Sequence, residues 1–189
     1  MGKRRPKATK IMLIRHAEKP AKDGEPYGVT RNGNHSKESL EVRGWQRAGA
    51  LATLLAPANR HFQHPALATP RFLFASKALR RKGSRRSIET ITPLARKLAI
   101  DINSEFARND FESMVEAAIG CPGVVLISWQ HEYIPEIAAH ILDDSKTAPD
   151  WPEDRFDMIW VFDRNRSGRY RMKQVPQRVL KGDSASLIR

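Results

Sequence analysis

The stretch Val124–Trp129 is a continuous apolar run, VVLISW, which predicts a strand buried on both faces. Shorter runs of the same kind occur at Ile11–Ile14 and Phe72–Ala75. Segments with apolar residues at helical spacing, such as Val42–Leu55 and Phe111–Ile119, separate these runs. Strands that alternate with helices are typical of domains in which helices cover both faces of a parallel sheet. The sequence therefore predicts an α/β fold, a three-layer α/β/α sandwich with a mostly parallel central sheet.

The remaining pattern extends this prediction. Three further strands are expected, at Ile100–Asn103, Met158–Phe162 and Tyr170–Val175. One further helix is expected at Ile134–Leu142. The last two strands follow each other across a short link and would add an antiparallel pair at one edge of the sheet. A helix is also expected after Ser84, a suitable N-cap residue. Pro93 lies inside the apolar stripe of that helix and predicts a kink or a break near Thr92.

Length and composition are those of an ordinary globular protein. The chain has 189 residues, of which 40% are hydrophobic and 29% charged. This length suits one domain, which we place at residues 10–189 after a flexible basic tail at residues 1–9. No apolar run approaches the ~20 residues of a membrane span, and no signal-peptide core follows the basic N-terminus. We therefore expect a cytoplasmic protein without a membrane partner. The single cysteine, Cys121, excludes an internal disulfide.

A formal net charge of +12 favours anionic partners. Two clusters carry much of the excess, one at residues 3–7 and one at residues 80–86. The partner could be a small phosphorylated substrate, a phosphoprotein or a nucleic acid, and the clusters could also simply solubilise the surface. Nucleic-acid binding has no support beyond charge, because aromatic residues make up only 7% of the chain and do not interleave with the basic clusters.

Arginine and histidine residues follow the C-terminal ends of the expected strands. Arg15 and His16 follow the first strand, and His131 follows the run VVLISW. Arg85 and Arg86 stand at the start of the helix after the second strand. In sheets of this class, functional sites form beyond the carboxyl ends of the strands. We therefore expect two histidines and at least one further arginine to meet Arg15 at one edge of the sheet.

This combination of residue types suits phosphoryl transfer. Arginine presents a planar set of donors that matches phosphate oxygens. An imidazole can act as a covalent nucleophile, and at its free pKa of ~6.5 much of it is neutral near pH 7. Guanidinium groups can stabilise the charge of a transferred phosphoryl group, so no metal and no cofactor are expected. Each residue alone is ordinary, and the hypothesis depends on all of them reaching the same edge.

Four short motifs follow one another in the chain. They are LIRHAE at Leu13–Glu18, RGWQRA at Arg43–Ala48, RSIET at Arg86–Thr90, and HEYIP at His131–Pro135. Together they resemble the signature of the histidine phosphatase superfamily, which has the phosphoglycerate mutase-like fold. The resemblance extends from about Lys10 to Val175 and is specific as a combination, although each motif alone is weak.

The resemblance implies a phosphoric monoester hydrolase. His16 would be the nucleophile that forms a phosphohistidine, and its other ring nitrogen would donate to a backbone carbonyl. Arg15 and Arg86 would bind the phosphate, and His131 would complete the phosphate-binding pocket. The expected substrate is a phosphomonoester or a phosphohistidine. A phosphoglycerate-type mutase is the first alternative, and a basic protein that binds nucleic acid or another polyanion is the second.

Departures from the family pattern leave two assignments open. The basic segment at residues 77–85 replaces the usual approach to the second arginine, so Arg85 remains an alternative to Arg86. The leaving-group acid could be one of four carboxylates or absent; the four are Glu18, Glu105, Asp110 and Glu132. We expect the loop at residues 17–39, which includes His35 as a further substrate-contact candidate, and the segment at 77–85 to shape the substrate site.

Overall fold

Strands and helices alternate along most of the chain. The structure, a computed structural model, describes residues 7–78, 83–144 and 148–189. Its elements are β1 (Ala8–Arg15), α1 (Val42–Leu55), β2 (Phe72–Ala75), α2 (Arg86–Leu98), β3 (Ile102–Asn103), α3 (Phe111–Ile119), β4 (Gly123–Trp129), α4 (Ile134–Leu142), β5 (Met158–Arg164) and β6 (Tyr170–Pro176). A short 3-10 helix at His131–Tyr133 leads into α4. Within the described ranges, no helix has both the length and the apolar character needed to cross a membrane.

The six strands form one sheet in the order β3-β2-β4-β1-β5-β6. The first four are mutually parallel, and β5 and β6 add antiparallel neighbours at one side. Strand β4 lies between β1 and β2, with Trp129 opposite Arg15 and Ser128 opposite Ala75. The C-terminal ends of these three strands therefore meet at one edge. The predicted mostly parallel sheet with an antiparallel edge pair is confirmed.

Helices cover both faces of the sheet. Met12 and Ile14 of β1 pack in the core on the side of α1 and α2, whereas Ile11 and Leu13 pack in the core on the side of α3 and α4. All four side chains are fully buried. Each such burial contributes about 1.5–3 kcal/mol relative to exposure. This two-sided burial explains why β1 is continuously apolar, and it confirms the three-layer α/β/α sandwich.

Strand β1 begins earlier than the sequence predicts. Ala8 is fully buried and lies opposite Gly123 of β4, and the Thr9 hydroxyl donates to the Gly123 carbonyl at 3.1 Å. The tail expected at residues 1–9 is therefore two residues too long, because pairing with β4 places Ala8 and Thr9 in the strand ahead of the apolar run. Residues 1–6, which include most of the first basic cluster, lie outside the described residues.

Helix α2 continues through Pro93, so the break expected near Thr92 does not occur. The Thr92 hydroxyl donates to the Ile88 carbonyl at 2.8 Å and adds a hydrogen bond in the turn where proline has no N–H. Ile91 and Leu94 are buried on either side of the proline position. Packing of both halves of the helix on the sheet outweighs the local preference for a break.

Candidate active site

The four candidate residues Arg15, His16, Arg86 and His131 line one cavity of about 290 Å³. The cavity lies where β1, β2 and β4 end, which is the edge predicted from the sequence. The structure therefore brings together the residues that the strand order suggested. Their contacts determine what each side chain can do.

Arg15 is buried at the end of β1 and is held by backbone oxygens. Its Nη1 donates to the carbonyls of Pro152, Glu153 and Arg155, at 3.2 Å for the first and the last. The guanidinium carbon lies 3.9 Å from the centre of the Phe156 ring. The Nε and Nη2 groups have no hydrogen-bond partner among the described residues. Burial lowers the pKa of Arg15 to about 10, so it remains cationic at neutral pH.

His16 is 3% exposed and has one ring nitrogen engaged. Its Nδ1 lies 2.8 Å from the Ala17 carbonyl oxygen, the contact that the resemblance implies. If Nδ1 carries the proton, Nε2 keeps a free lone pair. Burial, and to a lesser extent the charges of Arg15 and Arg86, lower the pKa of His16 to about 3. At neutral pH the imidazole is therefore uncharged and able to act as a nucleophile.

The second arginine at the cavity is Arg86. Its Nη1 donates to the Lys37 carbonyl at 3.0 Å, and its Nε has no partner among the described residues. Burial lowers the pKa of Arg86, although Glu38 and Glu89 oppose this shift. Arg85 is exposed and does not line the cavity. The geometry thus places Arg86 rather than Arg85 beside His16.

The Thr90 hydroxyl links the backbone next to His16 to the backbone of Arg86. Its Oγ1 accepts from the Ala17 N–H at 2.8 Å and donates to the Arg86 carbonyl at 2.7 Å. The four-residue spacing between Arg86 and Thr90 places both on the same side of the first turns of α2. One helix therefore supplies a cation to the cavity and supports the backbone beside His16.

His131 begins the 3-10 helix after β4. Its Nδ1 lies 3.4 Å from a carboxylate oxygen of Glu132 and has no hydrogen-bond partner among the described residues. Burial lowers the pKa of His131, and the charge of Arg15 acts in the same direction, while Glu132 opposes them. Nδ1 of His131 therefore makes no hydrogen bond to another described residue.

Of the four carboxylates considered as the leaving-group acid, Glu132 lines the cavity. Its side chain is 59% exposed. Glu105 and Asp110 are exposed and lie outside the cavity lining. Glu18 is directed into an ion pair with Arg47 at 2.8 Å and does not line the cavity. Among these four carboxylates, Glu132 is thus the one that the structure places in the cavity lining.

Glu18 belongs to a buried ionic network behind the cavity. Arg47 on α1 bonds both Glu18 and Asp183, at 2.8 and 2.7 Å. Burial alone would lower the pKa of Arg47, but the hydrogen bonds that it donates to these two carboxylates raise the pKa above its usual range. Gly44 lets α1 approach, because a Cβ there would lie 2.6 Å from the Glu18 carbonyl oxygen. The RGWQRA motif therefore supports the backbone that follows His16.

The loop at residues 17–39 is tied to the helices next to it. Trp45 Nε1 donates to the Val29 carbonyl at 2.7 Å, and Glu89 accepts from the Ser39 hydroxyl at 2.9 Å. His35 stacks on Tyr27 with ring centres 4.9 Å apart and lines a separate cavity in this loop. The structure does not bring His35 to the cavity of His16. The loop reaches that cavity through Lys19, which lines it, and through the Lys37 carbonyl, which accepts from Arg86.

Sequence reasoning missed several residues of the cavity lining: Lys19, Arg108 and Gln130. Gln130 immediately precedes His131, and Lys19 follows His16 by three positions, so both were close to recognised motifs. Arg108 follows β3, whose C-terminal end lies at the same sheet edge. Lys77 of the basic segment also lines the cavity, whereas residues 79–82 of that segment lie outside the described residues.

Comparison with known proteins identifies the fold. The sequence matches no protein-family model, and no curated protein resembles it significantly. Several solved structures are similar. One is the alpha-ribazole phosphatase from Shigella flexneri, with a TM-score of 0.54, 14% identity, and coverage of 93% of this chain and 100% of the other.

Two further similar structures have different activities in their names. The protein histidine phosphatase SixA complexed with tungstate has a TM-score of 0.52 and 12% identity, with coverage of 89% of this chain and 97% of the other. Phosphoglycerate mutase from Plasmodium falciparum has a TM-score of 0.52 and 11% identity, with coverage of 97% and 99%. Identities this low establish the architecture alone. The chain therefore has the phosphoglycerate mutase-like fold that these solved structures share.

Proposed function

We propose that this protein is a phosphatase that acts through a phosphohistidine intermediate on His16 and needs no metal. The observation that carries the proposal is that a neutral, buried His16 shares one cavity with Arg15 and Arg86. The Ala17 carbonyl orients the imidazole and leaves Nε2 for attack. The two guanidinium groups supply the positive charge that phosphoryl transfer requires.

In the first step, Nε2 of His16 would attack the phosphorus while the bond to the leaving oxygen breaks. Unpaired donors of Arg15 and Arg86 would bind the equatorial oxygens, and His131 would add a further hydrogen bond. The leaving oxygen takes a proton as it departs. In the second step, water attacks the phosphohistidine, the N–P bond breaks, and inorganic phosphate leaves with His16 restored.

Glu132 is the proton donor that we propose for the leaving group. It is the candidate carboxylate that lines the cavity and lies 3.4 Å from His131. In the protonated form it would protonate the leaving oxygen, and as a carboxylate it would then accept a proton from the attacking water. Its exposure lets it exchange protons with solvent between the two steps.

The proposed substrate is a phosphomonoester or a phosphohistidine on a protein. Similar folds occur in the alpha-ribazole phosphatase, the SixA protein histidine phosphatase and a phosphoglycerate mutase. These names supply the candidates without selecting one. A mutase would differ in returning the phosphoryl group to a bound acceptor rather than to water. Interconversion of 2- and 3-phosphoglycerate tests for that alternative.

Hydrolysis of p-nitrophenyl phosphate in excess chelator tests the proposal. The wild-type protein should release nitrophenol, and His16→Ala should lower turnover to the uncatalysed background. Denaturation at alkaline pH after incubation with labelled substrate should retain acid-labile label on wild type and none on the variant. His61→Ala, which changes an exposed histidine outside the cavity, is the matched control and should keep full activity. Undiminished turnover by His16→Ala would refute the mechanism.

A further inference from the structure

Two cations of the cavity, Lys77 and Arg108, have no part in the proposed chemistry. Both line the cavity that contains His16, and both side chains are exposed. Within the part of the chain that the structure describes, neither has a carboxylate partner within 4.0 Å. Lys19, by contrast, pairs with Glu153 at 2.8 Å. Lys77 and Arg108 are therefore the cations of this cavity that remain free to bind an anion beyond the phosphoryl group.

The backbone beneath these two cations is fixed. The N–H of Lys77 donates to the Phe106 carbonyl at 2.8 Å, so the chain after β2 is joined to the segment that carries Arg108. The carbonyl of Arg108 accepts from the indole N–H of Trp129 at 3.0 Å. Trp129 is fully buried in β4. Two exposed side chains thus project from positions that the core determines.

The charge balance of the cavity leaves room for a second anion. Five cationic side chains line it, together with the single carboxylate of Glu132 among the described residues. The transferred phosphoryl dianion would engage Arg15 and Arg86. Cations that share a small cavity repel each other unless an anion lies between them. The remaining positive charge at Lys77 and Arg108 therefore favours a substrate with more than one anionic group.

We infer that Lys77 and Arg108 form a second anion subsite, and that the substrate is a small phosphomonoester carrying an additional carboxylate or phosphate. This inference rests on the proposed function for the position of the first phosphoryl group. A cavity of about 290 Å³ is at the lower end of the volumes of small-molecule sites. It suits a compact molecule with its two anionic groups a few bonds apart.

Calorimetric binding to the His16→Ala protein tests the subsite without turnover. The probes are 3-phosphoglycerate and glycerol 3-phosphate, which differ by a carboxylate in place of a hydroxymethyl group. We expect 3-phosphoglycerate to bind at least about tenfold more tightly, a difference of about 1.4 kcal/mol. Glycerol 1,3-bisphosphate, with a phosphate at the second position, shows which anion the subsite prefers. Equal affinities for all three probes would overturn the inference.

Paired substitutions separate the subsite from the general field of a basic protein. Lys77→Ala/Arg108→Ala in the His16→Ala protein should bring the affinity ratio of the first two probes close to one. Lys97→Ala/Arg171→Ala removes the same charge from exposed positions outside the cavity and should preserve the ratio. An equal fall in both double variants would mean that net charge alone produces the preference, which would overturn the inference.

Turnover by the protein with His16 intact distinguishes this inference from the proposed function. Hydrolysis of both phosphate esters with equal kcat/KM, together with equal affinities, would overturn the subsite and leave the phosphatase proposal standing. Tighter binding of 3-phosphoglycerate with no hydrolysis of any phosphate ester would support the subsite and overturn the phosphatase proposal.

Discussion

The hydroxyl of Thr90 accepts a hydrogen bond from the backbone N–H of Ala17 at 2.8 Å. This contact joins the second turn of α2 to the residue immediately after His16. The same hydroxyl donates to the Arg86 carbonyl at 2.7 Å. Thr90 therefore acts as a positioning residue for both the proposed nucleophile and one of the cations beside it.

Replacing Thr90 by valine keeps the shape of the side chain and removes the hydroxyl. The buried Ala17 N–H would lose its partner, at a cost of about 1–3 kcal/mol. We expect kcat for p-nitrophenyl phosphate to fall more than KM rises, because the reacting imidazole is misplaced while Arg15, which Thr90 does not contact through a hydrogen bond, still binds the phosphoryl group. Thr90→Ser, which restores the hydroxyl, should recover most of the kcat. A valine variant with wild-type kcat would contradict this role.

Gly44 and Gly49 provide a matched pair on α1. A Cβ at Gly44 would lie 2.6 Å from the Glu18 carbonyl oxygen, whereas nothing lies within 4 Å of one at Gly49. We expect Gly44→Ala to destabilise the protein and to lower activity by displacing the backbone after His16. Gly49→Ala should instead stabilise it by about 0.5–1 kcal/mol through helix propensity. Urea denaturation of both variants measures the two effects, and the same sign in both would refute the packing argument.

Arg47 should be the most costly cation to remove. Arg47→Leu leaves the buried carboxylates of Glu18 and Asp183 with only the partly exposed Arg43 as a cationic partner, so we expect a loss of about 3–5 kcal/mol in the free energy of unfolding. Arg43→Ala removes a partly exposed arginine from the same network and should cost at most about 1 kcal/mol. Chemical denaturation at neutral pH compares the two, and equal losses would show that burial of Arg47 is not decisive.

The low pKa of His16 predicts how stability depends on pH. The imidazole is neutral when folded down to about pH 3, whereas in the unfolded chain it takes up a proton near its ordinary value of 6.5. Stability from this group is therefore present above pH 6.5 and is lost as pH falls towards 3, by at most about 1.4 kcal/mol per pH unit. Between these pH values, a plot of the free energy of unfolding against pH should be flatter for His16→Gln than for wild type. Parallel curves would mean that burial does not suppress the charge of His16.

The role proposed for Glu132 depends on the leaving group. A nitrophenolate leaves without a proton, whereas an alkoxide needs one. Glu132→Gln should therefore reduce kcat/KM much more for glycerol 3-phosphate than for p-nitrophenyl phosphate. Glu105→Gln, at an exposed carboxylate outside the cavity, is the control and should affect neither substrate. Equal losses on both substrates would assign Glu132 to binding rather than to proton transfer.

Most of the secondary structure could be read from local pattern. The bounds of α1 and β2 agree with the expectation, because each has an apolar pattern that matches its buried face. Strand β1 begins three residues before the predicted run at Ile11–Ile14, because pairing with β4, rather than hydrophobicity, orders its first residues. Helix α2 passes through Pro93 because tertiary packing overrides local propensity.

Only part of the candidate site could be predicted from the sequence. The residues after β1 and β4 could be found, since parallel strands end at a common edge. The environment of Glu18 could not, because its partner Arg47 also binds Asp183, which lies 136 residues further along the chain. Arg108 was missed because it stands on an irregular segment without periodicity. Long-range contacts and exposed loop cations leave no local trace in a single sequence.

The contacts that hold Arg15 affect how the cavity binds a ligand. Three backbone carbonyls hold Nη1 of this residue, and the Phe156 ring packs against its guanidinium carbon. The side chain therefore loses its rotational freedom when the chain folds rather than when an anion binds. In the proposed mechanism, an incoming phosphoryl group would meet an arginine that is already in place, and association would not have to include the entropy of ordering that side chain.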